Sequence, residues 1–147
     1  KNMARAPFQV LVYLYRKNEA EEIEYAMFER ADMDIWQGIS GGGEDDETPL
    51  EAAIRETTEE SGLLLSDGWM QLQTVGYVPK NIFFHSEHWP EDLYVIPIHC
   101  FGVPVTDDEI MLSHEHTQME WLSFKEAQKR LKFDSDRTAL WELDQRL

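Results

Sequence analysis

The run Phe8–Tyr15, reading FQVLVYLY, constrains the fold more than any other segment. It is apolar at almost every position and rich in valine and aromatic residues, which marks a central strand rather than one with a wet face. A buried central strand calls for a mixed sheet with helices packed on it. Ile23–Arg30 alternates Tyr25, Met27 and Glu29 against Ala26 and Phe28, and pairs back across a polar hairpin loop, Arg16–Glu22. Asp34–Ser40 reads as a short strand feeding a glycine turn. A helix is expected from about Pro49 to Ser61, stopped by Gly62. Strands follow at Gln71–Val78, Leu93–Val103 and Met119–Leu122. The loop Pro79–Asp92 is rich in His, Trp and Pro, and Thr106–Glu109 is a turn. Ser123 caps a helix Phe124–Leu131, and Asp134 or Ser135 caps a last helix over Asp136–Arg146. The fold class is α+β, with a single domain over residues 1–147 and residues 1–6 outside its folded part.

The helix from Pro49 carries the chemistry. Glu56, Glu59 and Glu60 stand at i, i+3 and i+4, and at about 100° per residue they share one narrow arc of surface. No lysine occurs between Gly41 and Leu63 to offset them. A hard divalent cation is the natural counter-charge, because it takes oxygen ligands. The competing reading is a solvated acidic face, for which glutamate is well suited. Two features favour the ion. The apolar stripe Leu50, Ala53, Ile54 and Thr57 lies beside the carboxylate arc, so the glutamates sit at the edge of a packed interface. Ser40-Gly41-Gly42-Gly43 just upstream lets the backbone approach a ligand closely.

These residues resemble the Nudix hydrolase motif, G-x5-E-x7-R-E-U-x-E-E-x-G-U with U a bulky aliphatic. Gly41, Glu47, Arg55, Glu56, Glu59, Glu60, Gly62 and Leu63 fall in register without a gap. Thr57 departs at the first U, and Asp46 stands where the family usually has glycine. The resemblance implies an α/β/α sandwich and hydrolysis of a phosphoanhydride. It implies Mg²⁺, with Mn²⁺ as the alternative ion, held by Glu56, Glu59 and Glu60 and by the backbone carbonyl near Gly41. Arg55 is then an orienting group pairing with Glu47 or Glu59, and Glu47 ties the loop to the helix. The family also places a glutamate before a Trp-Leu strand, and Glu115, upstream of Trp121-Leu122, matches it. One of His114 and His116 is expected to orient Glu115, and the general base is left open between Glu56 and Glu115. A zinc site at these histidines lacks a third soft ligand. Clustered glutamates without metal have raised pKa values, so metal binding is expected to weaken as pH falls.

Substrate choice rests on thinner signals. Trp36-Gln37 before the glycines, a Glu-His step before Trp-Leu, and Asp134-Ser135-Asp136-Arg137-Thr138-Ala139 resemble one Nudix subgroup, the dihydroneopterin triphosphate diphosphatases and dATP pyrophosphohydrolases. That subgroup releases pyrophosphate and leaves a monophosphate. Dinucleoside polyphosphates, oxidised purine nucleotides and non-catalytic nucleotide sensing are the alternatives. Trp36, Phe28, Phe83 and Trp89 are candidates to stack on an aromatic ligand, Arg30 to meet a phosphate, and His85 and His88 to close over it.

Charge and cysteine content limit the partners. The net charge of −16, from 29 acidic against 13 basic residues, argues against a nucleic-acid polymer. A small triphosphate already paired with its cation is not excluded by it. The lone Cys100 cannot form an internal disulfide, which fits a reducing, cytoplasmic setting, and its apolar context marks a buried structural thiol. No apolar run approaches the length of a membrane span. Monomer and homodimer both remain open.

Overall fold

The computed structural model describes residues 5–83, 86–106 and 110–147. Strand β1 (Arg5–Lys17) lies at the centre, and Val10, Leu11, Val12, Tyr13 and Leu14 are all buried. It pairs parallel with β6 (Val95–Pro104) on one side. On the other side its first half pairs antiparallel with β4 (Ile39–Glu44), and its end pairs with β2 (Ile23–Arg30). The short β3 (Trp36–Gln37) and β7 (His116–Leu122) both pair with β2, and β5 (Met70–Pro79) forms the edge beyond β6.

Period-two alternation divides this sheet between two cores. Val10, Val12, Leu14, Ala26, Phe28, Phe101 and Val103 pack with Ala52 and Ala53 of helix α1 (Pro49–Ser61). Leu11, Tyr13, Tyr25, Met27, Leu72 and Cys100 pack on the opposite face. There they meet Ala127 of α2 (Phe124–Arg130) and Ala139, Leu140 and Leu143 of α3 (Asp134–Arg146). The result is the expected α/β/α sandwich. Cys100 is a free, buried thiol, pushed up to about 12 chiefly by burial. Among the described residues no helix is long and apolar enough to cross a membrane.

Several expectations differ from what is observed. Gly41, Gly42 and Gly43 are strand, paired with β1, rather than a turn. The left-handed residue of the following turn is Asp45, at φ 50°, a conformation a short polar side chain tolerates better than most. Helix α3 begins at Asp134, two residues earlier than expected. Its N-cap is Phe133, without a side-chain hydrogen bond, and Asp134 and Asp136 instead place negative charge in its first turn. Arg5 and Ala6, expected outside the fold, open β1. His85, together with part of the turn 106–109, lies outside the described residues.

Candidate functional site

Helix α1 is fixed at both ends by its own sequence. Thr48 Oγ1 accepts from Glu51 N at 3.2 Å, while Glu51 Oε1 accepts from Thr48 N at 2.8 Å, a reciprocal capping box. Pro49 occupies the first turn, and Gly62, at φ 76°, ends the helix by donating its N–H to Thr58 O. The buried face is Ala52, Ala53, Glu56, Thr57, Glu60 and Ser61, whereas Leu50 is 40% exposed. The helix is therefore rotated relative to the expected stripe, bringing two carboxylates inside. Two small alanines permit a close approach to the sheet, and glycine completes it. A Cβ at Gly41 would lie 2.1 Å from Glu56 Cδ, so the Glu56 carboxylate occupies the space that a side chain would fill.

Arg55 joins loop, strand and helix. Its Nε donates to Glu47 Oε2 at 2.8 Å, and Nη2 donates to Glu47 Oε1 at 3.1 Å and to Gly42 O at 2.8 Å. Nη1 donates to Glu56 Oε2 at 3.0 Å and to Glu59 Oε1 at 3.3 Å, and Glu44 stands 3.6 Å away. Glu47 in turn accepts from Glu44 N at 2.8 Å. Against burial, which raises it, the Arg55 guanidinium and the Glu44 N–H hold Glu47 below the ordinary carboxylate value. Glu47 thus ties the loop to the helix, and the carbonyl that meets a site side chain here is that of Gly42.

One turn on, Glu60 is 4% exposed and forms a second group with residues around the start of β7. Ser113 Oγ donates to Glu60 Oε1, and Glu115 N donates to Ser113 Oγ at 3.3 Å. His116 Nδ1 is buried 3.1 Å from Glu60 Oε1 and has no hydrogen bond among the described residues. Burial lifts Glu56 to about 7, with Arg55 pulling it down and Glu59 pushing it up. Burial also lifts Glu60 to about 7, reinforced by a hydrogen bond with Glu115. That shared hydrogen bond holds Glu115 below its ordinary value. Burial thus makes it costly to ionise both inward carboxylates of this turn, and Arg55, already shared with Glu47 and Glu59, does not offset that cost alone.

The donor set is hard oxygen, and its excess charge is what a divalent cation would relieve. Among the described residues no three His, Cys, Asp or Glu side chains already converge as a metal cage. Arg55 draws Glu56 and Glu59 to itself instead.

Arg30 joins the Glu60 group. It pairs across the sheet with His116, and Ala31 N donates to Glu115 O at 2.8 Å. His116 lies 3.1 Å from Glu60 and also feels the charge of Glu115, and His114 is exposed. The aromatic candidates serve packing. Phe28 is fully buried, 5.2 Å from the His116 ring, and offers no surface to a ligand. Trp89 is 8% exposed, its indole N–H donates to Arg5 O at 2.8 Å, and Phe83 meets it edge-on, so both serve the packing of their loop. Trp36 packs with the second core, opposite α1, with the Arg130 guanidinium 4.6 Å from its ring centroid. Ser113 and the Gly42 carbonyl were not foreseen. Only Ser113 left a trace in the sequence, as the first residue of a Ser-x-Glu turn.

Residues 7–141 match the family model described as the NUDIX domain. The dihydroneopterin triphosphate diphosphatase of Haemophilus influenzae is 31% identical over 134 residues, covering 89% of this chain and 83% of that protein. The asymmetrical bis(5'-nucleosyl)-tetraphosphatase of Mus musculus is 27% identical over 133 residues, covering 88% and 84%. A crystal structure described as a NUDIX hydrolase from Listeria monocytogenes is 36% identical, with a TM-score of 0.83 over 96% of this chain and 94% of that one.

Proposed function

The chain belongs to the Nudix family, as a pyrophosphohydrolase acting on phosphoanhydrides, and we propose that it cleaves a nucleoside or pterin triphosphate with Mg²⁺, releasing pyrophosphate and a monophosphate. The observation that carries this is the pair of buried carboxylates, Glu56 and Glu60, lifted by burial on a single helical turn. The Haemophilus relative, named for a pterin triphosphate, supports the substrate class.

In this reading Glu56, Glu59, Glu60 and Glu115, with the backbone at Gly41, hold Mg²⁺, and Mn²⁺ substitutes for it. When bound, the ion neutralises phosphate charge and supplies Lewis acidity. Arg55 fixes the helix against β4, so that the carboxylates face the substrate from a rigid element. Of the two candidates for general base, Glu115 is favoured. It is exposed and open to water, whereas Glu56 is enclosed and paired with Arg55. Arg30, beside Glu115, is the cation placed to receive a phosphate.

The test is a panel of nucleoside triphosphates, dihydroneopterin triphosphate and dinucleoside polyphosphates with Mg²⁺, products resolved by chromatography. Pyrophosphate plus a monophosphate from a triphosphate supports the proposal. The mouse relative motivates a second reading, dinucleoside tetraphosphate cleavage. Turnover confined to dinucleotides, giving a mono- and a triphosphate, would replace the first reading with it. Tight nucleotide binding without turnover on the panel would overturn both.

A further inference from the structure

The two arginines near the acidic centre are held very differently. Arg55 is locked by partly buried carboxylates and a backbone carbonyl. Arg30 sits at the end of β2, close enough to Glu115 and Glu60 to feel both charges. Its guanidinium nonetheless points its fork elsewhere: Nε and Nη2 each donate at 2.9 Å to the two oxygens of Asp32. The Asp32 side chain is 62% exposed, and Ala31, Asp32, Met33 and Asp34 form an exposed turn. A solvent-facing carboxylate two residues along the chain thus fills the bidentate site of the arginine that faces the carboxylate cluster.

Carboxylate and phosphate present paired oxygens to a guanidinium in the same way. We propose that Asp32 is an internal competitor for Arg30, displaced by a substrate phosphate, and that it sets which anions Arg30 accepts. The inference rests on the triphosphate reading above. An exposed carboxylate–guanidinium pair shifts an equilibrium by no more than about fivefold, so a polyphosphate that also engages the metal centre displaces it readily. An anion with little charge, touching Arg30 alone, does not. Asp32 swings into water when displaced, and its exposure makes that movement inexpensive. The exchange therefore acts as a threshold that favours highly charged ligands over weakly charged ones.

The experiment compares wild type, Asp32→Asn, Arg30→Ala and the double variant. Turnover of the best triphosphate is measured with Mg²⁺, binding of inorganic tripolyphosphate is measured by calorimetry without divalent ion, and Tm is followed throughout. Asp32→Asn is expected to lower KM and to tighten tripolyphosphate binding, each by about two- to fivefold, with the change in KM rather than kcat. Arg30→Ala weakens both, and in its background Asp32→Asn loses its effect. A raised KM or a lowered Tm in Asp32→Asn would make Asp32 a pin for the turn and overturn the inference. An equal gain with and without Arg30 would also overturn it, as unspecific charge relief. If the wild type hydrolyses no triphosphate, the functional reading falls, while the tripolyphosphate comparison still decides the exchange.

Discussion

Gly41→Ala should disable the enzyme while leaving it folded. The added methyl would sit 2.1 Å from Glu56 Cδ, and ordinary contact begins at 3.4 Å, so the carboxylate has to retreat by about 1.3 Å. The clashing group is the end of a flexible side chain, and β4 keeps its pairing with β1, so stability should fall by less than about 1.5 kcal/mol. Misplacing a catalytic group by about 1 Å costs on the order of a hundredfold in rate. Gly43→Ala is the matched control. There a Cβ meets the Phe8 ring at 2.2 Å, and that ring is packed edge-on against His99. A half-buried ring wedged against the core and His99 gives way less readily than the end of a carboxylate side chain, so this variant should lose about 1–3 kcal/mol. Pyrophosphate release under saturating Mg²⁺ and thermal melts of both variants provide the assay. Full kcat in Gly41→Ala, or an unfolded Gly41→Ala beside a stable Gly43→Ala, would show that Glu56 need not occupy the space beside Gly41.

Other substitutions isolate single contacts. Thr57 is fully buried and its hydroxyl has no hydrogen-bond partner among the described residues, so Thr57→Val should stabilise the protein by about 1 kcal/mol in urea titrations with activity unchanged. Arg55→Ala leaves Glu56 enclosed without its cation and should cost about 3 kcal/mol. Arg55→Lys should recover little, because a lysine cannot span Glu47 and Gly42 O together. Glu56 near 7 when folded, against an ordinary value of 4.5, means that the folded state keeps a proton the unfolded chain releases. Its contribution to stability is fully present below 4.5 and is lost as pH rises through 7. In EDTA, Glu56→Gln should therefore raise Tm at pH 8, by the equivalent of about 1–3 kcal/mol, and leave it unchanged at pH 4. A variant less stable than wild type at pH 8 would contradict this.

The parts of the fold legible in the sequence are those governed by local pattern. The bounds of α1 follow from Pro49 and Gly62, and those of β2 from its alternation, because capping and period-two burial depend only on neighbours in the chain. The glycine segment misleads for a tertiary reason. Glycine is a poor strand former and usually signals a turn, yet here it forms strand so that Glu56 and Phe8 can press against the backbone. Phe28 and Trp89 look like ligand-stacking residues by type alone. Their burial is decided by β7 and by the start of β1, as the register Phe28↔Met119 and the Trp89–Arg5 hydrogen bond, spanning 84 residues, show. A separation of 53 residues hides the role of Ser113, which comes from its contact with Glu60.

In the proposed function the carboxylates of α1, joined by Glu115, hold a divalent cation. Titrating the protein with Mn²⁺ at pH 8 and counting free ion by electron paramagnetic resonance tests this without reference to turnover. Wild type should sequester Mn²⁺, with affinity falling as pH is lowered through 7, and Glu60→Gln should lose most of that binding. Equal Mn²⁺ uptake by wild type and Glu60→Gln, or no uptake by either, would contradict the account.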